Sequence, residues 1–248
     1  MKGFLAATMM LTRLPLWKVI NLDKKYFSDV LKYWPLVGYI TGAVTIGTLW
    51  IASQFMPALP ACVLAIIARL LLTGAIHEDG LADFFDGFGG GTSREKILSI
   101  MKDSHIGGYG TISLVAYFLL YTSFLYVFDI PEGLPIIFAI DIFAKLCAAI
   151  MINTLPYVRK EEESKTQVIY QKKDLRSFLV IAILSILPFA LIDDPLLLGA
   201  IIPPVLAAFF LRQYLKKKIG GYTGDCCGAS VLIIEQMCYL GAVIIYCW

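Results

Sequence analysis

The chain has 248 residues, of which 58% are hydrophobic and 16% charged, with a formal net charge of +2 and mean hydropathy +0.75. A soluble domain is nearer to about 45–50% apolar and about 25% charged. The composition therefore excludes a disordered chain, argues against an ordinary soluble domain and offers no basic footprint for nucleic acid. The six cysteines are too few for a disulfide framework. Cys62, Cys147, Cys238 and Cys247 fall inside apolar runs and read as reduced packing residues.

Residues 1–32 carry scattered charges and no uninterrupted apolar core, so no cleavable signal peptide is expected. The segment from Phe4 to Leu16 reads as an interfacial or re-entrant helix ending at Arg13-Leu14-Pro15. Seven stretches then approach the roughly 20 apolar residues a membrane-crossing helix needs: 33–55, 61–76, 108–128, 135–155, 177–192, 196–211 and 229–247. The fifth and sixth are short and interrupted by Pro188, Pro203 and Pro204, with Asp193-Asp194-Pro195 as the turn between them. Of the 21 Lys and Arg, only Arg69 and Lys145 lie within these stretches, leaving 21 − 2 = 19. All 19 fall in the N-terminal segment or in 77–107, 156–176 and 212–228, whereas 56–60, 129–134 and 193–195 contain none. This positive-inside asymmetry predicts an all-α polytopic membrane protein of about seven spans, with the N-terminus cytoplasmic and Trp248 on the far side. A single domain covering 1–248 is expected.

The loop after the second span begins His77-Glu78-Asp79-Gly80-Leu81-Ala82-Asp83-Phe84-Phe85-Asp86-Gly87. If the second span continues through it as a helix, Asp79, Asp83 and Asp86 lie on one face. Like charges so grouped repel, and Mg²⁺, which commonly bridges carboxylates to substrate phosphates, would neutralise them. A solvated acidic helix end is the plainer alternative. Thr92 and Glu95 fit a capping box for a short helix through Met101, whose apolar stripe (Ile97, Ile100, Met101) suits a membrane surface. Arg94 and Lys102 add phosphate-complementary cations and Asp103 a fourth carboxylate.

Asp141 and Lys145, spaced i, i+4, can pair inside the fourth span, where Asp141 reads as structural. Arg69 is expected to snorkel toward the acidic loop, and Arg159 of Pro156-Tyr157-Val158-Arg159 either binds phosphate or marks the membrane boundary. In Gly220-Gly221-Tyr222-Thr223-Gly224-Asp225, backbone amides at a helix start suit an anion, with Asp225 completing a metal shell. Lys216-Lys217-Lys218 read as topogenic or lipid-binding. Cys226-Cys227 lack zinc spacing and read as packing residues. His77 is a candidate proton carrier. Carboxylates, cations and glycines from three loops thus converge on one face, the combination that metal-assisted phosphoryl transfer requires.

These residues resemble the cobalamin synthase (adenosylcobinamide-GDP ribazoletransferase) family nearly end to end. The matching motifs are Thr12-Arg13-Leu14-Pro15, Trp34-Pro35-Leu36-Val37-Gly38, Thr73 through Asp83 with Asp86-Gly87, Ser93-Arg94-Glu95, Ile100-Met101-Lys102-Asp103-Ser104 with Gly107, Pro156-Tyr157-Val158-Arg159, and Gly220 through Asp225 with Gly228-Ala229 and Glu235. The resemblance implies a multi-pass inner-membrane enzyme with its site facing the cytoplasm. It would join adenosylcobinamide-GDP to α-ribazole or its 5′-phosphate, release GMP and use Mg²⁺. It assigns metal and diphosphate to Asp79 and Asp83, with Asp86, Asp103 and Asp225 as further ligands or substrate orienters. Arg94, Lys102 and Arg159, with Gly221 and Gly224, are the phosphate-binding candidates. A cluster carboxylate or His77 takes the hydroxyl proton.

Two departures from the family pattern are Cys226-Cys227, which removes a hydroxyl beside Asp225, and Lys145, where an arginine is expected. The competing readings are a CDP-alcohol phosphotransferase, a prenyltransferase with aspartate-rich motifs, and a transporter relaying ions through Asp141 and Lys145. The first expects a longer Asp-Gly-Ala-Arg-type motif, the second two separated acidic motifs, and the third an internal duplication. Small-molecule substrates and the lipid bilayer are the expected partners, no nucleic acid is expected, and a homo-oligomer is left open.

Overall fold

A computed structural model describes residues 1–159, 170–171 and 175–247; most of the basic loop 156–176 and Trp248 lie outside the described residues. The described residues form ten α-helices with short 3-10 turns and no strand. They are α1 (Lys2–Leu11), α2 (Val30–Ser53), α3 (Ala58–Thr73), α4 (Ile76–Gly90), α5 (Arg94–Ile100), α6 (Gly108–Val127), α7 (Leu134–Asn153), α8 (Leu179–Ile186), α9 (Ile202–Ile219) and α10 (Gly224–Tyr246). By length and composition, five segments can cross a membrane: Lys24–Ser53, Gly108–Val127, Leu134–Asn153, Pro195–Ile219 and Gly224–Tyr246. The bent pair α3–α4 makes a sixth if taken as one span, and Arg176–Leu191 is a shorter apolar helix. The chain is therefore a polytopic helical membrane protein. The expected seven stretches correspond to those five, the α3 half of the bent pair and Arg176–Leu191.

α7 is the central helix, buried from Ile136 through Asn153 on nearly every side. A helix apolar all round belongs in such an interior. α2 runs antiparallel to it, and the contact is close because Gly38 and Gly42 face α7. A Cβ at Gly38 would lie 2.9 Å from the Ile142 Cα, and one at Gly42 would lie 2.9 Å from the Phe138 ring. Small residues one turn apart let two helices approach without side chains between them, which matters in lipid where packing replaces the hydrophobic drive. The outer helices α3, α6, α8 and α9 expose Leu71, Ile112, Leu119, Val180, Ile183, Ile202 and Phe210, an apolar belt suited to acyl chains.

The second span does not continue into the acidic segment. Gly74 (φ +66°) and Ala75 (φ +56°) both adopt the left-handed conformation, which ends α3 and turns the chain through 92° into α4. The left-handed backbone favours glycine at Gly74, whose open face the flexible Arg13 side chain covers. Ala75 adopts the same region with a Cβ, a conformation that costs about 1–2 kcal/mol. α1 is a short helix packed on α2 through Ala6, Ala7 and Leu11, ending before Arg13 as expected. Asp194 accepts the Leu196 amide at 2.9 Å, so Asp193-Asp194-Pro195 does form the turn expected there.

Three local expectations are corrected. Ser93, not Thr92, caps α5, accepting the Lys96 amide at 3.2 Å. The apolar stripe of α5 is covered by protein rather than membrane: Ile97 and Met101 are buried against Gly91 and Gly87 of the α4 end. Cys247 is exposed, whereas Cys62, Cys147, Cys226, Cys227 and Cys238 are buried free thiols.

Candidate active site

The interior holds a set of charges that ties five helices. Arg69 (α3) makes a two-pronged ion pair with Glu235 (α10) at 2.6 and 2.8 Å, donates to the Tyr121 hydroxyl (α6) at 2.8 Å and lies 3.4 Å from Asp141 (α7). Lys145 closes on Asp141 at 2.6 Å, and the Thr41 hydroxyl (α2) donates to the other Asp141 oxygen. All four charged residues are at most 2% exposed. The expected i, i+4 pairing of Asp141 with Lys145 is thus present. Arg69 does not snorkel toward the acidic loop; it turns inward because two buried carboxylates compensate it there.

Above this cluster, α4 crosses α10 with almost nothing between the backbones. A Cβ on Gly80 would lie 2.8 Å from the Asp225 carbonyl oxygen, and one on Gly228 would lie 2.9 Å from the His77 carbonyl oxygen. This contact brings two helix N-termini together. Asp79 occupies the first turn of α4, its amide donating to the Ala75 carbonyl at 2.9 Å. Asp225 occupies the first turn of α10, which Thr223 caps by accepting the Cys226 amide at 3.3 Å. Helix N-termini favour negative charge, so both carboxylates, and any anionic substrate arriving there, sit at the favourable end of a dipole.

Two hollows meet at Asp79. The first is a cavity of about 90 Å³ whose polar end is His77, Asp79, Arg159, Gly224 and Asp225, and whose walls include Leu31 and Trp34. The second is a wide groove of about 710 Å³ bordered by Arg13, Thr73, Gly74, Glu78 and, again, Asp79. Arg159 pairs through Nη1 with Asp225 at 3.1 Å, while its buried Nη2 has no hydrogen-bond partner among the described residues. His77 is 4% exposed and stacked on Trp34 with ring centroids 5.7 Å apart; His77 Nε2 and Trp34 Nε1 are both buried and have no hydrogen-bond partner among the described residues. Glu78 Oε2 is likewise buried without a hydrogen-bond partner among the described residues.

The structure therefore gathers His77, Asp79, Arg159, Gly224 and Asp225 around one cavity and separates the other expected residues from it. Asp83 lies one turn beyond Asp79 on α4, half-buried. The sequence places Asp86 on the same helix face, but both of its oxygens are bound by backbone amides, Gly107 at 2.7 Å and Gly110 at 2.8 Å. Asp86 thus anchors the start of α6. Asp103 is exposed and engages His105, 2.6 Å from Nδ1 and 3.0 Å from the amide, which holds its carboxyl below the usual range.

Arg94 donates to the Ile219 carbonyl at 2.8 Å and so closes the end of α9, while Lys102 is exposed. Gly221 admits the Pro156 carbonyl, 2.0 Å from where a Cβ would stand. That approach lets Tyr157 bridge Tyr222 (Tyr222 amide to Pro156 carbonyl 2.9 Å, Val158 amide to Tyr222 carbonyl 3.1 Å) and delivers Arg159 to Asp225. Burial raises the Tyr222 phenol well above its ordinary value. Among the described residues no three His, Cys, Asp or Glu side chains group as a metal site. The five-carboxylate set read from the sequence does not assemble.

Sequence reasoning missed Trp34 and Glu78 as parts of the site, although both stand in motifs it singled out. It also missed the Arg69–Glu235 pair, whose partners are 166 residues apart.

Comparison with known proteins decides the family. The family model for cobalamin-5-phosphate synthase matches residues 3–243. The chain belongs to that family. Relatives include the adenosylcobinamide-GDP ribazoletransferase of Shewanella sp. (strain W3-18-1), 34% identical over 98% of this chain and 94% of its own. That of Shewanella frigidimarina is 35% identical over 96% and 92%. No solved structure matches. The match over nearly the whole chain does not favour the phosphotransferase, prenyltransferase or transporter alternatives, and the Asp141–Lys145 pair is closed by neighbours rather than open as a relay.

Proposed function

We propose that this chain is a single-domain membrane transferase that joins adenosylcobinamide-GDP to α-ribazole or its 5′-phosphate, releasing GMP. Family membership over 98% of the chain supports the reaction class. The observation that carries the assignment to this site is Asp79 standing where a small cavity and a wide groove meet, as a reaction between a small acceptor and a much larger activated donor requires.

In the reaction a ribazole hydroxyl attacks the phosphorus that carries cobinamide, and the bond from that phosphorus to the GMP oxygen breaks. A carboxylate of the cluster, Asp79 first, or else His77 accepts the hydroxyl proton. Arg159 Nη2 takes a phosphate oxygen, with Asp225 fixing the guanidinium plane. Asp79 and Asp83, one turn apart on α4, are the carboxylates suited to Mg²⁺. The ion is often held by one or two carboxylates plus substrate phosphates, so a third protein ligand is not needed. Bound there, Mg²⁺ would neutralise diphosphate charge.

The basic segments around Arg13, Arg94, Lys102, Arg159 and Lys216–Lys218 lie toward the ends of the helices that carry the site, which supports a cytoplasmic active site in an inner membrane with the N-terminus on that side. The test is incubation of the detergent-solubilised chain with adenosylcobinamide-GDP, α-ribazole and Mg²⁺. GMP and a cobalamin product are expected from the native chain, and neither from a folded Asp79→Ala variant. A folded native chain that yields no product overturns the proposal.

A further inference from the structure

We infer that the small cavity beside Asp79 is the acceptor subsite, and that it holds the base of the acceptor nucleoside with the Trp34 indole N–H donating to a ring nitrogen. The inference rests on the proposed transferase reaction and adds which substrate lies on which side of Asp79. Size separates the two hollows first. About 90 Å³ is below the roughly 150 Å³ of a cavity that holds one benzene ring, so an aromatic base enters it edge-first and a tetrapyrrole cannot enter. The groove of about 710 Å³ on the other side is the one that can receive the corrin donor.

Chemistry then separates the two bases present in the reaction. Met10, Leu11, Val30, Leu31, Trp34 and Ile76 wall the cavity, and its charged groups, Asp79, Arg159 and Asp225, come from the starts of α4 and α10 and the segment after α7. Trp34 is 2% exposed, and its Nε1 has no hydrogen-bond partner among the described residues. An indole nitrogen is only a donor, so a ligand that satisfies it must bring an acceptor. A dimethylbenzimidazole base brings one ring-nitrogen acceptor, no donor and two methyl groups for the aliphatic walls. Guanine brings an N–H and an amino group as well, whose acceptors in this cavity would have to be Asp79, Asp225 or the Tyr157 and Tyr170 hydroxyls and not the aliphatic walls beside Trp34. With the base against Trp34, the ribose points to the His77, Asp79 and Arg159 end, where the hydroxyl must react.

The experiment is steady-state kinetics of the full chain in detergent with each substrate varied in turn. Trp34→Phe keeps an aromatic ring and removes the donor together with the pyrrole half of the indole; Leu31→Phe narrows the cavity from a wall that carries no chemistry. Both are expected to raise the KM for α-ribazole by about tenfold or more while the KM for adenosylcobinamide-GDP stays within twofold. A rise in the donor KM instead, or no change in either, overturns the assignment. Because either variant can fail to fold, the native chain supplies a second reading. Free 5,6-dimethylbenzimidazole is expected to inhibit competitively against α-ribazole and not against the donor, and the reverse pattern overturns the assignment. A native chain that forms no cobalamin product refutes the activity and this subsite with it. A native chain that turns over with the wrong competition pattern refutes the subsite alone.

Discussion

Arg69 and Glu235, 166 residues apart in the sequence, meet as a two-pronged ion pair at 2.6 and 2.8 Å in the interior of the bundle. Around them Asp141, Lys145, Tyr121 and Thr41 fill out one buried network. Its position directly beneath the α4–α10 crossing means that what holds the bundle together also fixes the height of Asp79 and Asp225.

Removing one partner should cost far more than removing both. Glu235→Gln leaves Arg69 short of one carboxylate in the buried interior, a loss of about 3–5 kcal/mol. The double variant Arg69→Met, Glu235→Met leaves Lys145 with Asp141 and is expected to recover part of that loss. Thermal unfolding in detergent checks this: a double variant no more stable than Glu235→Gln contradicts it.

Arg159→Lys keeps a charge beside Asp225 but cannot supply a second fixed N–H. We expect kcat/KM for adenosylcobinamide-GDP to fall by about 10- to 100-fold with little change in thermal stability. A variant with native kinetics would mean that the unpartnered Nη2 does not meet substrate.

The reading of Asp86 as an anchor gives a result opposite to that for a metal ligand. Asp86→Asn weakens two charge-assisted hydrogen bonds to Gly107 and Gly110, worth about 1.5–3 kcal/mol each while ionised. The expected outcome is a lower unfolding temperature with an unaltered Mg²⁺ concentration for half-maximal rate. A shifted Mg²⁺ requirement without loss of stability would return Asp86 to the metal site.

Gly80→Ala sets a Cβ 2.8 Å from the Asp225 carbonyl oxygen, and backbone cannot swing aside as a side chain does. Overpacking of about 1–3 kcal/mol should appear as a lower melting temperature together with loss of turnover. Gly108→Ala, where a Cβ meets nothing within 4 Å, serves as the control and should lose neither.

Membrane class, the apolar stretches and the clustering of basic residues were legible in the sequence, because lipid demands long apolar helices and local composition records that demand. The Asp141–Lys145 pair was legible too, since one helical turn separates its members. What the linear order could not show was which carboxylates share a site. Asp79, Asp83 and Asp86 look equivalent along one helix face, yet each meets a different neighbour: the junction of two hollows for Asp79, a half-buried turn for Asp83, and the amides of α6 for Asp86. Arg69 found a partner 166 residues away, a distance at which no periodicity operates. Hydrophobicity acts through each residue's own side chain and is written locally. A buried charge or a helix crossing is settled by whatever the rest of the chain brings alongside, so only the tertiary structure decided those.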